Sequence, residues 1–393
     1  MTHSFVAKPF VAQHRSEGAT ARRHAPARML LFAGLAAVSA GSLADVGDAT
    51  TIASGLANPR GIDFGPNGAL YVAEAGRGGT GNCTPSPPNP SVDRCYGESG
   101  AITEILPGVG FRRIATGLPS LVLPSGTAEG GPANLSFHGM NAFVNVAWGG
   151  DPARRAGLGP KSSLFGTLLQ VTPAGTYRVV ADVAAHEVAY NPAGGPVDSN
   201  PYGLVALPGR RIVADAGANA LVEVLANGRT RTFAVLPPLP PVPPLPFPRE
   251  PVPTSVVEGP DGALYVGQLT SFPFWPGTSS ILRVSSDGQT IETYAAGFTA
   301  VVDLAFDAGG ALYVLEVARG QIGPFPPPPA PNPGLGIGRL MRMCPGGAPT
   351  ELLAGLDFPS GVVIGPDGAA YLTNKGTSPD SGEVLRLAVT PCP

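Results

Sequence analysis

Six positions along the chain share one local setting and carry the side chains best suited to chemistry. Three residues beyond Tyr71, Phe143, Ile212, Tyr265, Tyr313 and Tyr371 stand Glu74, Val146, Asp215, Gln268, Glu316 and Asn374. Carboxylate and amide oxygens are what a hard cation such as Ca²⁺ takes, usually about six to eight of them. If these positions meet around an axis, Glu74, Asp215, Gln268, Glu316 and Asn374 form a candidate ligand-binding set. Glu74, Asp215, Glu316 and Asn374 would then be candidate metal ligands for Ca²⁺ or another divalent cation in a central channel. The plainer reading is that these polar ends accept hydrogen bonds from neighbouring turn amides and hold the fold together. Val146 breaks the set, which weakens any metal site built on it. Nucleophilic chemistry has little to stand on: beyond residue 44 the histidines are His138 and His186, neither in a catalytic motif, and GxSxG is absent. No glycine-rich phosphate motif falls in a strand–turn–helix context, so catalytic residues stay unassigned.

What must position this set is an array of repeats. Residues 65–76 (GPNGALYVAEAG), 259–270 (GPDGALYVGQLT), 308–318 (AGGALYVLEVA) and 365–376 (GPDGAAYLTNKG) are one motif, with weaker copies at 207–217 and 140–150. Each copy has a short strand, an Asn/Asp-Gly turn and an ALYV-like strand, the pattern of a hairpin. A third, alternating strand follows (AITEIL, TLLQVT, ALVEVL, SILRVS, RLMRMC, EVLRLA). Several copies add a fourth strand with a shared ending: RRIATGL at 112–118, ETYAAGF at 292–298 and ELLAGL at 351–356. The sixth copy stops at Pro393 without one, yet TTIASGL at 50–56 has the phrase ahead of the first repeat. These features predict an all-β, six-bladed propeller of four-stranded blades over residues 45–393, its ring closed by the N-terminal strand pairing in the last blade. Insertions at 77–98, 149–164, 236–251 and 320–337 account for the excess length, and the two proline-rich ones read as stiff surface loops.

Composition agrees with short strands and many turns. Gly 54 and Pro 46 make up about a quarter of 393 residues, while charged residues are 13%, too few for a charge-laced helical bundle. Residues 1–28 carry Lys8, Arg15, Arg22, Arg23 and Arg28 against Glu17, and residues 29–40 (MLLFAGLAAVSA) are apolar. That run is too short to span a bilayer and is followed by small residues, so residues 1–44 are expected to be a signal peptide. Removing five positive charges and one negative takes the net charge from −3 to −7. Nucleic acid is then not expected as a partner, and no second apolar stretch offers a stable membrane anchor. The expected state is a secreted or periplasmic monomer.

Four cysteines in an exported chain read as two disulfides. Cys83 and Cys95 bracket one polar loop, and Cys344 and Cys392 each follow an alternating run, so pairing within each couple is favoured over the crossed arrangements. The chain-entropy model gives about 3 kcal/mol for the first loop and about 4 kcal/mol for the second.

At residues 71–104 (YVAEAGRGG, then CYGESGAITE), 184–204 (AAHEVAYNPAGGPVDSNPYGL), 253–270 and 298–318 the sequence resembles the ScyD/ScyE family of secreted bacterial six-bladed propellers. The blades are also similar to those of NHL-type and gluconolactonase-like propellers. The latter resemblance implies a divalent ion in the channel polarising a lactone carbonyl. Gln268 stands where the family motif usually has Glu. Three functions remain open: a non-enzymatic binding or scaffold protein for an unidentified small molecule or protein surface, a metal-dependent lactonase or esterase, and an accessory protein of an exported biosynthetic pathway. The first is favoured, because no residue set demands catalysis.

Overall fold

The computed structural model describes residues 44–45, 48–106, 108–243, 247–272, 274–319 and 337–393. The expected signal peptide falls almost wholly outside these residues, as does the proline run at 320–336.

The repeat grammar becomes structure through one local device. In the hairpin of residues 253–268, Asp261 in the turn accepts from the amide of Ala263 at 3.2 Å and from the Tyr265 hydroxyl at 3.4 Å. Arg283 of the third strand closes on the same carboxylate at 2.7 Å. Asp367, Tyr371 and Arg386 repeat the arrangement. The turn glycine has φ near +73° in both hairpins, a left-handed conformation that a side chain resists. One phrase therefore fixes turn, register and the third strand together.

Among the described residues, twenty-four strands fall into repeats of four, each antiparallel to the next. The third repeat, for example, runs Pro201–Leu207, Arg210–Asp215, Ala220–Leu225 and Thr230–Val235. The first strands of the repeats touch in cyclic order: Pro59–Phe64, Ala128–His138, Pro201–Leu207, Pro253–Glu258, Val301–Phe306, Gly361–Ile364, and back to the start. The result is an all-β propeller. Thr50–Leu56 pairs antiparallel with Gly382–Leu387, so the chain's beginning completes its last sheet. Ala44–Asp45 adds a short parallel strand beside Leu353 and Ala354.

Six separate four-stranded sheets were expected, and here the structure differs. Four sheets stand apart, while the first two repeats belong to one nine-stranded sheet. The junction is the pairing of Leu121 with Gly130 and Val122 with Ala128. Its cause is an overlong hairpin: Asp93–Leu106 and Gly110–Val122 are 14 and 13 residues, enough to reach past the ring and run on into Ala128–His138. Cys83–Pro85 adds the ninth strand, tied to the hairpin by the Cys83–Cys95 disulfide. The second disulfide joins Cys344 to Cys392, so both pairs are those that spacing favoured.

Apolar side chains bury between neighbouring repeats. Leu56, Ile62, Val72 and Val384 lie between the last repeat and the first, and Tyr265, Ile281, Leu304 and Val314 between the fourth and fifth. At the axis the strands come close enough to require glycine. A Cβ on Gly61 would sit 2.4 Å from Asn134 Oδ1, and one on Gly361 would sit 2.8 Å from the Arg60 carbonyl.

Candidate functional site

The acidic and amide positions of the second strands each find partners within their own repeat. Glu74 accepts from the amide of Ala57 at 2.6 Å, from the Thr103 hydroxyl and from Arg113 at 2.8 and 2.9 Å. Glu316 accepts from the Thr299 amide at 2.8 Å and pairs with Arg339. Asn374 accepts from the Asp357 amide at 2.8 Å and donates to Glu383. Gln268 accepts from the Ser280 hydroxyl. Asp215 takes Ser199 Oγ and the amides of Asn200, Gly217 and Ala218, and burial pushes its carboxyl up to about 6. Glu74, Asp215, Glu316 and Asn374 thus clasp the loop entering their own repeat, whereas Gln268 bonds the third strand. Among the described residues no three His, Cys, Asp or Glu side chains gather so as to hold a metal ion.

The polar groups that do share a space sit on the axis. A cavity of about 200 Å³ is lined by the first strands, including Asp63, Asn134, Ser136 and Asp303. Each reaches along its own strand or across to the next. Asp63 accepts from the amides of Phe64 (2.8 Å) and Phe137 (3.0 Å), and Asp303 from those of Leu304 (3.0 Å) and Val362 (2.9 Å). Burial outweighs these amides, pushing Asp63 up to about 6 and Asp303 up to about 7, with Asp63 adding to the rise of Asp303.

A larger cavity, about 360 Å³, opens at the mouth of the ring on the side of Arg60 and Tyr202. Arg94 lies in its wall, 2% exposed, held by the carbonyls of Trp148 (2.7 Å) and Gly149 (2.6 Å) and stacked 4.8 Å from the Trp148 ring centre. Burial pushes its guanidinium down to about 10, and Glu129 and Asp198 pull it back up. Arg60 donates to the Ala128 carbonyl at 2.6 Å. Among the described residues neither arginine forms an ion pair with a carboxylate. Opposite charge is nonetheless present: Asp198 accepts from the Gly150 amide at 2.8 Å, and Glu129 Oε1 from the Ser86 hydroxyl at 2.9 Å. Burial raises Asp198, and burial together with Asp198 raises Glu250. Behind this wall Glu187 is pushed to about 7 by burial and then by Asp215. Two buried oxygens of lining residues, Glu129 Oε2 and Asn200 Oδ1, have no hydrogen-bond partner, and neither does Arg94 Nε.

Sequence reasoning placed the candidate site on the second strands and missed Arg60, Arg94, Glu129, Asp198 and Asn200. A signal was present: Asp198, Asn200 and Tyr202 all lie in VDSNPYGL, a phrase that carried the family resemblance.

No family model and no curated protein matches the chain. Solved structures do. A putative oxidoreductase (glucose dehydrogenase) from Thermus thermophilus is 17% identical, covering 86% of this chain and 99% of its own, with a TM-score of 0.52. A protein of unknown function from Bacteroides thetaiotaomicron is 9% identical, covering 87% and 73%, also at 0.52. A putative gluconolactonase is 12% identical, covering 88% and 94%, at 0.48. At such identities the likeness establishes the propeller fold and nothing about chemistry.

Proposed function

We propose that this protein is a secreted, monomeric binding propeller that holds a small polar ligand in the mouth cavity and does not transform it. One observation carries the reading: a cavity of about 360 Å³ is lined by Arg60, Arg94, Glu129, Asp198 and Glu250, charged side chains of both signs suited to a small polar ligand. The ring counts six blades on this reading, the nine-stranded sheet serving as two, because each of its halves supplies one first strand to the axis. The two disulfides support an oxidising compartment, in keeping with an N-terminal signal peptide and with the ScyD/ScyE resemblance. The described residues contain no helix long and apolar enough to cross a membrane.

Purified protein incubated with small molecules from its growth medium, then dialysed and weighed by native mass spectrometry, should retain one small molecule. Glu129→Ala should release it. Equal retention by the variant would overturn the reading. So would turnover in a panel of lactones and aryl esters with Ca²⁺, Zn²⁺ or Mn²⁺ that chelator abolishes, which would establish the metal-dependent hydrolase instead.

A further inference from the structure

We propose that the proline-rich arm leaving the third repeat is a docking surface for a second protein, one that presents a groove lined with aromatic rings and carrying N–H or O–H donors. Residues 236–252 separate the strands Thr230–Val235 and Pro253–Glu258. At the corresponding junctions residues 299–300 and 358–360 suffice. Closure of the ring therefore does not call for the insertion, and one of this length in a compact domain is commonly a functional loop. Its sequence opens with the triplets Pro-Pro-Leu, Pro-Pro-Val and Pro-Pro-Leu at 237–245, and no side chain from 237 to 248 carries a charge or a hydrogen-bonding group.

Burial over residues 236–243 follows the same period of three. Leu236 is buried, Leu239 and Val242 are half-buried, and Pro237, Pro238, Pro240, Pro241 and Pro243 are exposed. Three residues per turn is the repeat of a polyproline II helix, so the aliphatic row lies against the propeller and two rows of proline rings face outward. The arm is fixed at its base. Leu239 exchanges main-chain bonds with Arg249 at 2.8 and 2.9 Å, and the buried Arg249 side chain donates to the Pro240 carbonyl at 3.1 Å and to Thr278 Oγ1 at 2.9 Å. Its shape is thus set before a partner arrives, which lowers the ordering cost of docking. Proline has no N–H, so the outward rows offer ring C–H surface and carbonyl oxygens. The carbonyls of Pro237, Pro238 and Pro241 accept no hydrogen bond among the described residues. Aromatic faces suit the rings, and indole N–H or phenol O–H groups suit the carbonyls. A lipid surface would leave those carbonyls without donors, and a strongly charged partner would find no charge on the arm to pair with. Exposed Phe247 and Phe272 widen the apolar surface on the returning side, where the Ser271 amide bonds the Glu250 carbonyl at 3.1 Å.

Two purified proline-binding domains with unlike aromatic grooves, a WW domain and profilin, serve as probes. Each is labelled with a fluorophore and titrated with the full secreted protein, binding being read by anisotropy. The parent should bind at least one of them, and at least tenfold more tightly than a variant carrying Pro237→Ala, Pro238→Ala, Pro240→Ala and Pro241→Ala, while the two proteins melt at the same temperature. If the fourfold variant fails to fold, Pro240→Ala with Pro241→Ala, expected to weaken binding several-fold, takes its place. Silence from both domains, or equal binding by parent and variants, would overturn the inference. In the absence of domain binding, co-sedimentation with phosphatidylcholine vesicles that the variants lose would assign the arm to a lipid surface instead. Concentration-dependent dimerisation that the variants lose would likewise assign it to a second copy of this chain. Retention of a small molecule at the mouth is decided separately and does not depend on any of these results.

Discussion

Arg113 grips Glu74 with two parallel bonds, Nε to Oε1 at 2.9 Å and Nη2 to Oε2 at 2.8 Å, joining the second strand of the first repeat to its fourth. The carboxylate has no solvent exposure, and it also takes the Ala57 amide just ahead of the first strand. Removing it leaves a buried amide unpaired and a partly buried guanidinium with the Gly55 carbonyl at 3.4 Å. Glu74→Ala should therefore cost about 3–5 kcal/mol, read from the urea midpoint. Ligand retention by whatever protein remains folded should match the parent, since Glu74 does not line the mouth cavity. A loss below 1 kcal/mol would show that the clasp contributes little.

Deleting residues 45–56 removes the strand that pairs with Gly382–Leu387. The last sheet then exposes an edge and the cluster around Leu56 and Val384 opens to water. The truncated protein should melt well below the parent and aggregate on heating. An unchanged melting temperature would contradict closure by the terminal strand.

The axial acids make stability depend on pH in a direction opposite to that of most surface carboxylates. Asp63 and Asp303 hold their protons up to about 6 and about 7 in the folded state, above the ordinary value of 3.8. The native state thus binds protons that the unfolded chain has released. Their contribution is full at pH below about 4 and is lost as pH rises through 6 and 7, at a slope of about 1.4 kcal/mol per pH unit for each proton. Asp303→Asn should flatten the urea-derived stability profile between pH 4.5 and 7.5. At the matching position of the second repeat Asn134 already accepts from its neighbour's amide at 2.7 Å, so the amide suits the site. Parallel profiles for parent and variant would refute the assignment.

The Cys344–Cys392 bond closes a 48-residue separation. Changing both cysteines to Ala should cost about 4 kcal/mol on the chain-entropy model, against about 3 kcal/mol for the Cys83–Cys95 pair. Denaturation of the two double variants under the same conditions checks the order. A larger loss from the shorter loop would mean that the Cys83–Cys95 bond holds the long hairpin in place as well as limiting the unfolded chain.

The repeats were legible because their causes are local. Asp261, Tyr265 and Arg283 lie within one hairpin and its following strand, so the phrase that encodes them recurs wherever the device recurs. Closure by Thr50–Leu56 was legible for a related reason, since the chain's beginning carries the missing ending. The mouth was not. Arg60, Arg94, Glu129 and Asn200 come from different strands and connecting segments, and spacing along the chain says nothing about their meeting. For the second-strand acids the plainer reading, acceptance from turn amides, was legible, but the partner amides were not. Glu74, Glu316 and Asn374 each bind an amide 17 residues earlier, a distance that only the folded turn makes short. Nor did the repeats announce the merged sheet, which follows from the length of a single hairpin.

That merger makes the ring mechanically uneven. Elsewhere among the described residues neighbouring repeats share no strand ladder, so sliding between them would break isolated bonds such as those from the Phe137 amide to Asp63 and the Val362 amide to Asp303. Between Leu121 and Gly130 such sliding would break main-chain bonds, and the first two repeats must travel as one plate. Glu129 sits beside that rivet, whereas Asn200 and Glu250 belong to segments on the unriveted side. On the proposed reading, a molecule entering the mouth would meet an anvil on one side and a jaw on the other, and any adjustment to its shape would fall to the jaw.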